Sequence, residues 1–461
     1  EKGTKIALFG QGVYNTIKGG TGSGAVNQRD NVTVQQGFEN AGYDIVDIDF
    51  VNQMHERWTA NGGGTSQGWS YKWVNEPIYE QTEGAVDQIK TAAEKTDTAI
   101  YVIARNSGEG SDRSAGKGDY LLSDDEEANL KLLGQNFENV VVVLNVGGII
   151  DTKFFDEIDG LDSMLLMSQA GMTGGDALVE VLNGTVNPSG KLTDTWPVNF
   201  DDNPSSEGFA NQDGNTAQEL YNDDIFVGYR YYDTKQMEVA YPFGYGLSYT
   251  TFTYSNLQIS NTNPTEKDTI TVSVDVTNTG SIAGKEILQL YVKDMTASTI
   301  RPEKELKGFE KVQLAPGETK TVTMELDKRS FAWYNTQLQD WYAASGKYEI
   351  LIGASSRDIR LSETIELSSS QVIPMHIHMN TTLGELFNNP NTKEAAKELT
   401  SRYLAAMNGG SDTASQSAAE AITEEMVAAM TDSMPLRSLC SFGGFSRAEI
   451  QEIIDKMQKL C

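Results

Sequence analysis

The sequence predicts a doubly wound α/β sandwich, followed by an immunoglobulin-like β-sandwich and a small helical C-terminal region. Three observations carry this. Residues 4 to about 197 alternate short, continuously apolar runs with helix-like segments, as a parallel sheet with covering helices requires. Residues 251–368 switch to period-two alternation broken by turn signals. Residues 375–461 return to helical periodicity.

The expected parallel strands are Lys5–Gly10 ("KIALFG"), Tyr43–Asp49, Thr98–Arg105 ("TAIYVIAR"), Val140–Val146 ("VVVVLNV") and Ser163–Ser168. Their Val and Ile content suits strands buried on both faces. Helices are expected over Arg29–Ala41, Ile78–Glu94, Ser123–Gln135 and Thr173–Leu182. Ser123 with Glu126 three residues on is a capping box, and Gly184 ends the last of these helices. Residues 201–250 are rich in Asp, Asn, Gly and Tyr and read as an ordered connector packed by its aromatics. "TITVSVDVTNTG", "EILQLYVKD", "TKTVTMELD" and "GKYEILIGASS" supply β-sandwich strands within 251–368. In the extension, 369–461, "TLGELFNN", "TKEAAKELTSRYLAAM", "AITEEMVAAMTD" and "SRAEIQEIIDKMQKL" are helical, with Gly409–Ser417 as a flexible break. Residues 1–200 form the α/β domain.

The 461 residues suggest about three domains. With 36 Lys+Arg against 65 Asp+Glu, the net charge of -29 repels phosphate backbones, which argues against nucleic acid. A neutral sugar would not be repelled. Two cysteines, Cys440 and Cys461, make no disulfide framework. Three histidines, His55, His376 and His378, are too few to suggest a metal centre, and His376-x-His378 reads as extended linker. No run approaches a membrane span, and no signal segment is visible. These features are compatible with a cytoplasmic protein. Glu1 stands tight against the first strand, which leads us to expect that an upstream segment has been removed.

In open α/β sheets, ligands bind beyond the carboxyl ends of the strands. Two loops stand there. "QGVYNTIKGGTGSGAVN" follows the first strand, and its glycines let backbone approach a ligand. It fits neither common nucleotide fingerprint, since Lys18 precedes the glycines. Ser23 in this loop could reach a neutral substrate. "NSGEGSDRSAGKGDYLL" follows strand Thr98–Arg105 and holds Glu109 between two glycines. A partly shielded carboxyl there could act as a general acid, whereas a solvated turn is the ordinary alternative. Asp112 and Arg113 could pair and brace the loop. Asn75-Glu76-Pro77 imitates a glycosidase acid/base motif, but Pro77 beside an acid at a helix start has an ordinary structural reading.

"NSGEGSDR" followed by "KGDYLLS" resembles the acid/base segment of glycoside hydrolase family 3. "KIALFG…GGTGSGAVN", "SMLLMSQAG", "LNGTVNPSGKLTDTWP", "FVGYRYYDT", "YPFGYGLSYTTF", "KELKGFEKVQLAPGETKTV" and "YEILIGASSRDIRL" extend the resemblance over roughly residues 4–365. It implies that the β-sandwich is fibronectin type III-like and that Glu109 is the catalytic acid/base. It implies further that Asp112 and Arg113 shape the loop beside the substrate and that Ser23 approaches the sugar. No cofactor is implied.

The family's nucleophile is an Asp in an "SDW"-like motif on a (β/α)8 barrel, and this sequence contains neither that motif nor eight βα repeats. A retaining glycosidase needs two carboxyls about 5–5.5 Å apart. The expectation is therefore part of a retaining β-glucosidase acting on terminal β-D-glucosyl residues. Its partner would be a barrel domain or chain carrying the nucleophile, meeting this chain near the Gly12–Asn27 and Ser107–Tyr120 loops. The barrel could lie upstream, follow in a permuted parent, or come as a separate chain; self-association into a homo-oligomer is left open. The alternative is a non-catalytic carbohydrate-binding or scaffolding protein.

Overall fold

The computed structural model describes residues 2–20, 22, 29–60, 83–106, 113–209, 214–297, 299–407, 432–442 and 444–461. The chain forms two compact units. One comprises Glu1–Phe331 with Ala344–Ser369, the other Ala332–Ala343 with Ser370–Cys461.

The first unit opens with β1 (Lys5–Phe9), α1 (Val34–Ala41), β2 (Asp44–Ile45), α2 (Ile48–Ala60), α3 (Glu83–Ala93), β3 (Thr98–Arg105), α4 (Asp124–Asn136), β4 (Asn139–Val146), α5 (Phe154–Glu157), β5 (Ser163–Leu166) and α6 (Gly174–Leu182). The five strands form one parallel sheet in the order β2-β1-β3-β4-β5. Seven of the eight β3 residues are buried, as expected of a central strand covered on both faces.

Two expected boundaries are corrected. Tyr43–Asp49 does not continue as a strand beyond Ile45. Leu8 N–H donates to both carboxylate oxygens of Asp47, at 3.1 and 3.3 Å. The Asp47 carbonyl then accepts from Phe50 and Val51, so the chain turns into α2. The helix expected from Arg29 begins only at Val34, because Thr33 is the N-cap: it accepts from Gln36 N–H, and the Gln36 side chain accepts from Thr33 N–H. The Ser123–Glu126 capping box starts α4 as expected. Helix α3 starts later than the Ile78 expected, at Glu83, and residues 61–82 lie outside the described residues. Helices α1 and α6 meet at Gly37 and Gly175, where a Cβ on either would collide with opposing backbone.

At the end of the α/β domain, β6 (Trp196–Pro197) pairs antiparallel with β7 (Val239–Tyr241) of the connector, which also contains α7 (Tyr229–Thr234). The β-sandwich follows with β8 (Phe252–Ile259), β9 (Ile270–Asn278), β10 (Gly284–Asp294), β11 (Glu305–Leu314), β12 (Thr319–Leu326) and the short α8 (Lys328–Phe331). After the β13 (Trp333–Asn335) and β14 (Asp340–Tyr342) hairpin of the second unit, β15 (Gly346–Gly353) and β16 (Ile359–Leu367) complete it. Its sheets run β11-β10-β15-β16 and β12-β9-β8. The period-two pattern has its physical counterpart here: Val272, Val274 and Val276 of β9 are fully buried while the residues between them are not. Lys191 of the α/β domain reaches Glu286 of the sandwich at 3.2 Å, and Gln289 Nε2, which also donates to the Ala354 carbonyl at 2.8 Å, donates to the Gly244 carbonyl of the connector at 3.1 Å.

The second unit adds α9 (Leu383–Asn388), α10 (Lys393–Met407), α11 (Leu439–Phe442) and α12 (Arg447–Gln458) to that hairpin. The helical stripes pack as a core of Leu383, Leu386, Leu399, Leu436, Ile450 and Ile454. Capping boxes start α9 at Thr382 and α12 at Ser446. Residues 421–431 of the expected "AITEEMVAAMTD" helix, and the Gly409–Ser417 break, lie outside the described residues.

Candidate active site

The site must be built from the carboxyl ends of β1, β3, β4 and β5, where the two chemistry-bearing loops begin. Gly10 ends β1 with φ +90°, and a Cβ there would sit 2.5 Å from the Val102 carbonyl oxygen, so only glycine turns the first loop this close to β3. Thr16 then anchors the loop. Its hydroxyl donates to the Gly12 carbonyl and accepts from Val34 N–H, both at 2.8 Å. Ser23 lies outside the described residues.

Asn145, one residue before the end of β4, is completely buried. Its Oδ1 accepts from Ile17 N–H at 2.6 Å, and its Nδ2 donates to the carbonyls of Ile17 and Ser168 at 2.9 and 2.7 Å. One amide thereby ties the first loop to the turn after β5. Ser168 adopts a left-handed backbone, φ 52°. Sequence reasoning did not single out Asn145, although one polar residue inside "VVVVLNV" was the available signal.

The second loop leaves β3 at Arg105. This buried guanidinium donates to both carboxylate oxygens of Glu126, at 2.7 and 2.5 Å, and to the Asp119 carbonyl at 2.9 Å. Such a two-pronged pair holds position as well as charge. Glu126 thus serves twice, since it also caps α4 by accepting from Ser123 N–H at 2.8 Å. Glu109 and Asp112 lie outside the described residues, which resume at Arg113. Arg113 forms an ion pair with the Asp119 carboxylate, and its Nη2 donates to the carbonyls of Asp119 and Ile149, each at 3.3 Å. The other Asp119 oxygen accepts from Ser114 N–H at 2.6 Å. The loop's return end is therefore braced by Asp119, a residue absent from the expected site.

Tyr120, buried at the end of this segment, stands edge-on to Phe200 with ring centroids 5.3 Å apart. Burial first, then the nearby Asp151 charge, pushes its phenol above the ordinary value, so it stays protonated and can only act as a neutral hydroxyl. Among the described residues, no group of three or more His, Cys, Asp or Glu could hold a metal, and no helix is long and apolar enough to cross a membrane.

Residues 1–249 match the glycosyl hydrolase family 3 C-terminal domain, more than half of the chain. The chain belongs to glycoside hydrolase family 3. Residues 286–356 match the fibronectin type III-like domain, which is the β-sandwich described above. The thermostable beta-glucosidase B of Acetivibrio thermocellus is 36% identical over 465 residues, covering 100% of this chain and 56% of that protein. An exo-alpha-(1->6)-L-arabinopyranosidase of Bifidobacterium breve is 43% identical over 232 residues, covering 50% of this chain and 29% of its own. The structure of beta-glucosidase 3B from Thermotoga neapolitana in complex with alpha-D-glucose superposes with a TM-score of 0.70 at 37% identity, covering 79% of this chain and 50% of that one. The chain spans about half the length of the beta-glucosidases it matches here. This family 3 chain thus corresponds to the C-terminal half: the α/β domain and the fibronectin type III-like domain that follows it.

Proposed function

We propose that this chain is the acid/base half of a retaining β-glucosidase. Glu109 protonates the glycosidic oxygen while a carboxylate on a (β/α)8 barrel outside this chain attacks the anomeric carbon. Glu109 then deprotonates the water that releases the sugar. The observation that carries this reading is the anchoring of both ends of the "SGEGSDR" loop: Arg105 is locked by Glu126 at the end of central strand β3, and Arg113 by Asp119 where the loop returns. A general acid must hold its proton within hydrogen-bond reach of one oxygen, and flanks anchored on a rigid sheet support that role for the loop. Names of family relatives supply the substrate class, a terminal β-D-glucosyl residue, and the arabinopyranosidase relative supplies the nearest competing sugar. Ser23, Asp112 and Arg113 are assigned to the substrate side of the same loops.

The test is hydrolysis of an aryl β-glucoside by the purified chain, alone and fused to a family 3 barrel domain, each beside its Glu109→Ala variant. The expected result is no turnover by the chain alone, and turnover by the fusion that falls at least about a hundredfold in the variant. Azide should restore part of that rate and yield the β-glucosyl azide, because the anion displaces the enzyme carboxylate from the anomeric carbon without a general base. Turnover by the chain alone would place a nucleophile within it and overturn the division of labour. Sugar binding without turnover in any form would favour a carbohydrate-binding protein.

A further inference from the structure

The turn that follows β5 touches both chemistry-bearing loops. Gly171 N–H donates to the Lys18 carbonyl at 2.9 Å, where the first loop enters its glycines. Val32 N–H donates to the Met172 carbonyl at 2.8 Å, and the Val32 carbonyl accepts from Gly175 N–H at 3.1 Å, where that loop returns. On the other side, Gln169 Nε2 donates to Asn106 Oδ1 at 3.4 Å, one residue beyond the end of β3. Residues 168–175, "SQAGMTGG", therefore stand as a third wall beside the two loops.

One position in this wall is strained. Ser168 has φ 52°, and among the described residues it is the only non-glycine of the α/β domain in the left-handed region. A Cβ is crowded there, whereas glycine adopts that backbone freely, as Gly171 does at φ +75°. The Ser168 backbone is held from both sides: its N–H donates to the Leu144 carbonyl at 3.2 Å, and its carbonyl accepts from Asn145 Nδ2 at 2.7 Å. The side chain has no such role. It is exposed, and its hydroxyl has no hydrogen-bond partner among the described residues. Beside it, Gln169 is half-buried, with Nε2 turned to Asn106 and no partner for Oε1 among the described residues. Non-glycine residues fixed in this conformation by their surroundings cluster at ligand sites.

The available groups select the chemistry. A free hydroxyl next to an amide offers a donor and acceptors without charge, which suits a sugar hydroxyl, itself donor and acceptor. The wall holds no Lys, Arg or His, so an anion would find no counter-charge in it. An apolar ligand would cover these polar groups and leave them unpaired. We infer that Ser168, with Gln169 beside it, is a specificity-determining residue that hydrogen-bonds one hydroxyl of the glucoside held between the two loops. This rests on the proposed function, which brings the substrate to these loops, and it adds a contact from a third strand end.

The test uses the barrel-fused enzyme and a set of aryl β-glucosides that each lack one sugar hydroxyl. Ser168→Gly relieves the backbone and deletes the hydroxyl, while Ser168→Ala deletes the hydroxyl alone. Both should lower kcat/KM on the full glucoside by roughly fivefold, the worth of one neutral hydrogen bond. The melting temperature of Ser168→Gly should hold or rise. On one deoxy substrate, parent and variants should agree within about twofold, because the contact is already missing there. An equal loss on every substrate would make Ser168 a purely structural turn residue and overturn the inference, as would no loss on any. Should a variant prove less stable, the pattern across substrates still decides. A parent fusion that leaves the glucoside intact sinks the proposed function and this contact with it. An active parent with indifferent variants sinks the contact alone.

Discussion

The side-chain amide of Asn145 makes a two-way hydrogen bond with the backbone of Ile17, accepting at 2.6 Å and donating at 2.9 Å. This pair, with the third bond to Ser168, joins the end of β4 to the first loop and to the turn after β5. Asn145→Leu keeps the size and removes all three partners. Each buried backbone group left unpaired costs about 1–3 kcal/mol, so the variant should lose roughly 3 kcal/mol or more in urea unfolding. A loss under about 1 kcal/mol would mean that water or a rearranged loop replaces the amide.

Arg105 and Glu126 are both buried, so removing one charge leaves the other stranded. Glu126→Gln should destabilise the chain by about 3–5 kcal/mol, and the double change Arg105→Met/Glu126→Leu should recover much of that. A double-mutant cycle in denaturant reads both. Equal losses in single and double variants would show that position, not charge, is what the pair supplies.

Arg113 and Asp119 brace the return end of the loop proposed to carry the general acid. In the barrel-fused enzyme, Arg113→Lys should lower kcat on an aryl glucoside by roughly tenfold to a hundredfold, because misplacement of a catalytic group by about 1 Å has that effect. Lysine carries the charge but lacks the planar fork that reaches both the carboxylate and the Ile149 carbonyl. KM should change less than kcat. An unchanged kcat would detach the brace from catalysis.

Asp47 supplies the pH dependence. Burial, the largest influence, pushes its carboxyl from 3.8 up to about 7, against the lowering effect of the Leu8 N–H. A raised folded value means that the folded chain holds this proton more tightly than the unfolded chain. The resulting stability is fully present below about pH 4 and is lost progressively as pH rises to about 7, with a total on the order of 4 kcal/mol. Asp47→Asn has no proton to lose. The wild-type stability relative to this variant should therefore decline between about pH 4 and pH 7 and then level off. A flat difference across that window would show that Asp47 is ionised throughout.

Much of the fold was legible because local signals agreed with the tertiary outcome. Val140–Val146 reads as a buried strand, and Ser123 with Glu126 reads as a helix start, whatever surrounds them. Tyr43–Asp49 was misread because its apolar pattern suited a strand. What ends the strand there is a carboxylate accepting a bond from Leu8, 39 residues away in sequence. The site was legible in part. The glycines around Glu109 and the neighbouring Arg113 stand in one short segment, whereas Asp119 becomes the partner of Arg113 only when the loop folds back.

By itself, then, the sequence determined the order of elements, the family and the segment proposed to carry the acid/base carboxyl. Periodicity, caps and short motifs are properties of neighbours along the chain. The tertiary structure decided which groups at the strand ends meet: Asn145 with Ile17, Arg105 with Glu126, and Gln169 with Asn106. Those relationships join residues far apart in sequence, and their energies exist only once the sheet has brought them within reach and excluded water.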